Sequence, residues 1–228
     1  MTVLHLADEG EAADFAAFLA RLIHYDRGAA VRLQATGKTL AVFGRPPSFE
    51  VLAIRAVRLA KPYENGLEAR LDVTVSAGEL LESVDEAAAT AEVPAAVTGP
   101  PWAGVLPPRG GWRPRPGLPA TDVLRATVAA AVGEFRSRTE ELAPEQRTRV
   151  ALDRIGREIW SRTLGDTELP VRAVHAAQSL GFLRPVPQAS DSEPPALLSS
   201  GTWLRLRTPF GSIAVRRAGL GALDVSVR

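Results

Sequence analysis

Along the first 95 residues, the spacing of the apolar side chains changes from helical to strand-like. A short apolar run at residues 2–6 predicts a first strand. After it, apolar side chains recur every three or four positions, as they do on one face of an amphipathic helix. These side chains are Phe15, Phe18, Leu19, Leu22 and Ile23. The pattern therefore predicts a strand followed by a helix.

From Ala29 onward, apolar and polar positions alternate, which is the spacing of a half-buried strand. Two strands are predicted around a turn at residues 36–38, and a third is predicted over residues 50–60. A fourth strand, with one polar face, follows the turn signal Asn65-Gly66. The spacing thus predicts a set of antiparallel strands.

Ser76 and Glu79 have the spacing of a capping box, which predicts a second helix directly after the last strand. The complete order is strand, helix, four strands and helix. It predicts an α+β domain over residues 1–95, in which a helix covers an antiparallel sheet. In topology, this order resembles one subdomain of the sliding-clamp fold.

A connector rich in Pro and Trp is predicted at residues 96–120. Residues 98–122 contain seven prolines and five glycines, which excludes a long helix or an interior strand. Trp102 and Trp112 lie in this segment, and exposed indole rings are usually there for a reason. Either the rings pack the connector against both domains, or they bind a partner protein in extended, Pro-rich form.

The remaining residues predict helices and then a hairpin. Helical spacing is found over residues 120–142, from Pro144 onward, and over residues 169–183. Prolines, serines and acids at residues 185–200 predict a flexible loop. Alternating residues at 202–217 predict a basic β-hairpin. Residues 121–228 are therefore predicted to form a mainly helical domain with a C-terminal hairpin, and the whole chain is assigned to the α+β class.

Three helices followed by a hairpin, with the third helix ending at Gly181-Phe182-Leu183-Arg184-Pro185, resemble the winged-helix family. The resemblance implies that the third helix enters the DNA major groove, and that the hairpin contacts phosphate or the minor groove. The implied nucleic-acid-binding residues are Arg172, His175, Gln178 and Ser179 in the helix, and Arg205, Arg207, Arg216 and Arg217 in the hairpin. An alternative stays open, in which the hairpin completes a sheet beside a small helical domain.

The net charge of +1 conceals opposite charges in the two parts of the chain. Residues 1–95 carry a net charge of −5, and residues 96–228 carry +6. A polyanion partner for the second part would explain this asymmetry, and so would an acidic domain that rests on a basic one.

Motifs for catalysis or for a cofactor are missing from the sequence. The chain has no cysteine, which excludes thiolate chemistry and cysteine-bound zinc or iron-sulfur sites. The three histidines are too scattered for a local metal motif, and no nucleophile elbow or dinucleotide fingerprint occurs. We therefore expect no metal and no cofactor, and an enzyme of unrecognised class is the minority interpretation.

The sequence favours a non-enzymatic binding or regulatory protein that contacts nucleic acid through its basic C-terminal domain. The alternative is an assembly or scaffold protein that binds a protein partner, or a second copy of itself, through Trp102 and Trp112. An acidic N-terminal segment and the lack of a long apolar stretch lead us to expect a cytoplasmic protein without a membrane partner.

Overall fold

A computed structural model describes residues 2–47, 49–64, 70–186 and 193–217. Within these ranges, the chain is a mixed α+β structure with antiparallel sheets, which confirms the predicted fold class. The strands are β1 (Thr2–His5), β2 (Ala30–Thr36), β3 (Thr39–Gly44), β4 (Leu52–Arg58), β5 (Arg70–Ser76), β6 (Val84–Asp85), β7 (Thr90–Val93), β8 (Arg113–Arg115), β9 (Ala196–Ser200), β10 (Trp203–Thr208) and β11 (Gly211–Arg216). The α-helices are α1 (Glu9–Tyr25), α2 (Ala77–Glu82), α3 (Thr121–Glu140), α4 (Arg149–Trp160) and α5 (Val171–Ser179).

One large sheet contains strands from both parts of the chain. Its order is β5-β2-β3-β4-β11-β10-β9-β8, and every neighbouring pair is antiparallel. The two parts meet where β11 pairs with β4, with Ile213 opposite Ala53. The predicted C-terminal hairpin is therefore present as β10 and β11, and it extends the N-terminal sheet on one side. The division into domains at residues 95 and 121 stays a prediction, and this sheet crosses it.

The inner face of the large sheet is covered by helices. Phe15 and Leu19 of α1 and Val174 of α5 belong to the same buried cluster as Ile213 and Val215 of β11. The helical spacing predicted for α1 is confirmed, because its apolar face is the buried one. In β2, alternate residues are likewise buried against this layer.

The opposite face, called the outer face here, has a smaller apolar centre. It is formed by the buried side chains of Phe43, Leu52, Ile54, Trp203 and Ala214. Trp102, Leu106 and Trp112 of the connector pack against it. The connector is thus a thin layer on the side of the sheet away from the helices.

Several local predictions need correction. Residues 84–93, for which no strand was predicted, contribute β6 and β7, and these form a separate three-stranded sheet with β1. The residues of β9 were predicted to belong to a flexible loop, but they form a strand because both β10 and β8 supply backbone partners. Pro144 begins a 3-10 turn, and α4 starts later, with Thr148 as its cap. The Asn65-Gly66 turn signal lies outside the described residues.

Candidate nucleic-acid interface

Three of the predicted hairpin arginines share the outer face of the sheet. In β10, Arg205 and Arg207 alternate with buried leucines, so their side chains are on the face opposite the helices. The register pairs Arg205 with Ala214, and Trp203 with Arg216. Because directly paired residues lie on the same side of a sheet, Arg216 is on the outer face as well.

Further arginines from other elements lie on or beside this face. Alternation in β2 and β5 places Arg32 and Arg70 on it, and Arg45 follows Phe43 by two residues at the end of β3. Arg109, from the connector, lines a cavity over the middle of the sheet. The winged-helix pattern did not indicate these residues, although the alternation Ala41, Phe43, Arg45 was visible in the sequence.

Some of these arginines are neutralised by carboxylates. Arg32 Nε lies 2.8 Å from an oxygen of Asp72, and Arg207 Nη1 lies 2.6 Å from an oxygen of Glu193. Among the residues that the structure describes, Arg45, Arg205 and Arg216 have no ion-pair partner within 4.0 Å. The outer face therefore carries three arginines whose charges are not paired with a carboxylate among the described residues.

Arg205 is the most unusual of these cations because it is half-buried. Its Nε atom is inaccessible to solvent and has no hydrogen-bond partner in the described part of the chain. Its guanidinium carbon lies 5.7 Å from the centre of the Trp112 ring. Burial, and then the charge of Arg207, lower the pKa of Arg205. A cation that is removed from water without a counter-charge is costly, and an anion at this position would compensate it.

The surroundings of Arg205 can accommodate such an anion. Arg205 and Arg109 line a cavity of about 250 Å³ on the outer face. Thr36 and Thr39 contribute hydroxyl groups to the same cavity, and Gln34 lines it with an amide whose nitrogen also donates to Asp72 at 3.2 Å. These donors and two guanidinium groups are the side chains that bind phosphate oxygens in proteins.

A second cavity on this face is bounded by two tryptophans. It has a volume of about 340 Å³, and both Trp102 and Trp203 line it. Arg45 and Arg216 line it too, and the Arg216 guanidinium lies 5.1 Å from the centre of the Trp203 ring. Charged and flat aromatic groups are therefore combined at one position.

The predicted helix residues lie on the other side of the sheet, because α5 packs on the inner face. His175 stacks on Trp160 with ring centres 4.6 Å apart, and burial lowers its pKa. Gln178 is exposed, and Ser179 is half-buried. Arg172 is linked to the outer face through Glu50, since its Nε is 3.9 Å from a carboxylate oxygen of this residue, which also lines the 340 Å³ cavity. The structure thus does not bring the helix residues and the hairpin arginines together on one surface.

Arg217 is used within the chain. Its Nη1 lies 3.2 Å from an oxygen of Glu168, and its Nη2 donates to the carbonyl oxygen of Gly201 at 2.5 Å. These contacts within the chain occupy the Arg217 guanidinium, so no ligand is needed to account for its charge.

The two connector tryptophans pack against the sheet. Both rings are half-buried against the apolar centre of the outer face. Trp112 Nε1 also donates a hydrogen bond to the carbonyl oxygen of Pro108, at 2.9 Å. These contacts support the first explanation for the rings, in which they hold the connector in place, and partner binding stays a prediction.

Within the described ranges, no group of three or more His, Asp or Glu residues is arranged to hold a metal ion. In the same part of the chain, no helix combines the length and the apolar character needed to cross a membrane.

Residues 107–220 match a family model described as "Domain of unknown function (DUF8185)". Residues 1–104 match a second model, described as "Domain of unknown function (DUF8010)". The two matches meet within the connector. No curated protein and no solved structure matches the chain significantly.

Proposed function

This chain belongs to the DUF8185 family, and we propose that it is a non-enzymatic binding protein that contacts nucleic acid through the outer face of its large sheet. Arg205, Arg207 and Arg216 keep the role that the sequence predicted for them. Arg45 and Arg109 join them from the N-terminal part and from the connector. The helix α5 supports the sheet from behind in this arrangement, instead of entering a groove.

The observation that carries this proposal is the environment of Arg205. Its half-buried guanidinium lacks a carboxylate partner among the described residues and has an unpaired Nε. The contact with the Trp112 ring does not replace a counter-charge, and a charge held partly out of water without one costs stability. Arg55 and Arg172 also have a buried Nε without a partner, but each has a carboxylate within 4.0 Å, whereas Arg205 has none among the described residues. A ligand that supplies the missing charge would account for this difference.

A polyanion explains more of the surface than a single small anion does. Arg205 and Arg109 line one cavity, and Arg45 and Arg216 line another, so two pairs of guanidinium groups lie on the same sheet face. A ligand with several phosphates can contact both pairs at once. Each such contact releases counterions from the nucleic acid, which makes binding salt-dependent.

The direct test is fluorescence anisotropy of labelled random-sequence oligonucleotides at about 50 and about 200 mM salt, where phosphate contacts lose affinity steeply. We expect micromolar or tighter binding at the lower salt concentration. Replacing Arg205 and Arg216 together with glutamine should weaken binding and reduce the slope of log K against log salt by about 0.7–0.9 for each phosphate that the variant no longer neutralises.

The matched control replaces Arg149 and Arg154 together with glutamine, because it removes the same two charges from exposed side chains of α4. This control should bind like the wild type. Absence of binding at the lower salt concentration would contradict the proposal, and so would equally weakened binding in the control and in the outer-face variant.

Assembly through the connector is the second candidate, and the exposure of Val105 favours it. This side chain is 45% exposed beside Trp102, in a segment whose two tryptophan rings are otherwise packed on the sheet. If the exposed side chain joins two copies, light scattering should detect a dimer, and Val105→Asp should convert it to a monomer. A monomeric wild-type protein would exclude self-assembly at this position.

A further inference from the structure

The 340 Å³ cavity lies between the connector and the outer face of the sheet. Pro101, Trp102 and Val105 form its connector side, and Leu52 and Trp203 belong to the sheet side. Its volume lies within the range of small-molecule sites, which are usually mostly apolar with a few placed polar groups. The cavity therefore has the size and the walls of a binding site for a small, flat group.

The charged groups at this cavity favour an anion. Arg45 is exposed, and Arg216 is exposed above the ring of Trp203. Neither has an ion-pair partner within the described ranges. Glu50 also lines the cavity, with its carboxylate 3.9 Å from Arg172, so the charged residues of the lining are two cations and one anion, with a net charge of +1. Two cations are thus available to a ligand at the border of an apolar space.

We infer that this cavity is a subsite for one unpaired nucleotide, with the base between the connector and Trp203 and its phosphate at Arg45 and Arg216. Every base has a flat face that can stack on an aromatic side chain, and stacking platforms beside basic groups are typical of proteins that bind single strands. The inference rests on the proposed function and makes it more specific. It assigns single-stranded nucleic acid as the ligand, because the bases of a duplex are stacked on one another and cannot enter the cavity.

The geometry also predicts how the base and the phosphate of a nucleotide each contribute to its affinity for the cavity. The apolar walls should bind the base, while the two arginines should bind the phosphate regardless of the base. A nucleoside monophosphate should therefore bind better than ribose 5-phosphate or inorganic phosphate. A single strand should likewise bind better than a duplex of the same sequence.

The experiment is a titration with adenosine monophosphate, read as quenching of tryptophan fluorescence, because two of the four tryptophans line the cavity. Val105→Phe places a larger apolar side chain in the lining of the cavity and leaves both arginines in the sequence. We expect saturable quenching in the wild type and about tenfold weaker affinity in this variant. Val123→Phe is the matched control, since Val123 is 47% exposed on α3 and lines none of the cavities on the outer face.

The outcomes separate this inference from the proposed function. Quenching that is absent, equal in both variants, or equally strong with inorganic phosphate would overturn the nucleotide subsite. In that case, salt-dependent binding of oligonucleotides that requires Arg205 and Arg216 would still support the proposed function. Saturable quenching by adenosine monophosphate that Val105→Phe weakens, together with tighter binding of a single strand than of a duplex, supports the subsite. If adenosine monophosphate binds in this way but no oligonucleotide does, the cavity binds free nucleotides, and both the assignment to single strands and the proposed function are overturned.

Discussion

The Arg55 guanidinium on β4 donates a 2.7 Å hydrogen bond to the carboxylate of Glu11 on α1, and both side chains are less than 10% exposed. This pair joins the first helix to a central strand of the large sheet, on the face away from the candidate interface. Glu11 also accepts a hydrogen bond from Arg58 Nε at 2.8 Å. The helical layer is therefore held by buried ionic contacts as well as by apolar packing.

Removing the charge of Glu11 should destabilise the fold strongly. Glu11→Gln leaves the buried Arg55 guanidinium with the more distant Asp14, at 3.5 Å, as its carboxylate partner, so the cost should approach but not exceed about 3–5 kcal/mol, which is the cost of breaking a buried pair on one side. Urea denaturation would measure this destabilisation. Glu86→Gln, which makes the same change at an exposed turn, should alter the free energy of unfolding by less than about 0.5 kcal/mol. Equal stabilities for the two variants would show that the pair contributes little.

Stability should fall in acid partly through Asp14. Burial alone would raise the pKa of Asp14, but the hydrogen bond and charge of Arg184, with the charges of Arg55 and Arg21, bring it below its ordinary value. The unfolded chain therefore binds this proton more readily, so the stabilisation is present at neutral pH and is lost as pH falls below about 4. Asp14→Asn should lower stability at pH 7 and reduce its dependence on pH between about 4 and about 3. Asp153→Asn, at an exposed position, should retain the dependence of the wild type.

His175 should make the fold less stable in mild acid. Burial against Trp160 and Phe49 lowers its pKa, so the unfolded chain binds a proton at a pH where the folded chain does not. The free energy of unfolding should therefore decrease as pH falls below about 6.5. His175→Phe retains a ring on Trp160 and should lessen this decrease, as measured by urea denaturation at pH about 7.5 and about 5. If His24→Phe, at an exposed site, had the same effect as His175→Phe, the assignment to His175 would be wrong.

A methyl group at Gly211 should disturb the hairpin turn. A Cβ atom at this position would lie 2.5 Å from two ring carbons of Phe182, which follows α5 and stacks on Phe18. Gly211→Ala should therefore cost about 1–3 kcal/mol in thermal or urea unfolding. Gly110→Ala meets no atom within 4 Å and serves as the control. A neutral Gly211→Ala would mean that the hairpin turn moves freely, as an independent wing would.

Arg205 should lower the stability of the fold and raise the affinity for oligonucleotides. Arg205→Met removes a half-buried charge that lacks a partner among the described residues, and it keeps most of the apolar stem, so stability should rise by about 1 kcal/mol. The same variant should bind oligonucleotides less tightly. Arg216→Met, at an exposed position, should weaken binding with little change in stability. Lower stability in Arg205→Met would show that this side chain is mainly structural.

The positions of several arginines of the candidate site could be predicted from the alternation of apolar and polar residues in the strands. Alternation in residues 203–207 and 212–216 was sufficient to place Arg205 and Arg207 on one side of their strand, opposite the leucines. The same reasoning could have found Arg45, two residues beyond Phe43. By contrast, the sequence offered no sign that Arg205 lacks a partner, since that depends on residues far away along the chain.

The sequence by itself determined the α+β class, the helix α1, the alternating strands β2 and β3, and the hairpin, because each depends on the periodicity of neighbouring residues. The tertiary structure decided that β11 pairs with β4, that β9 is a strand and that α5 lies behind the sheet. These features depend on which distant backbone groups and apolar faces find each other, and local spacing does not contain that information. This long-range pairing placed three of the four predicted hairpin arginines (Arg205, Arg207 and Arg216) and the predicted helix residues on opposite sides of one sheet.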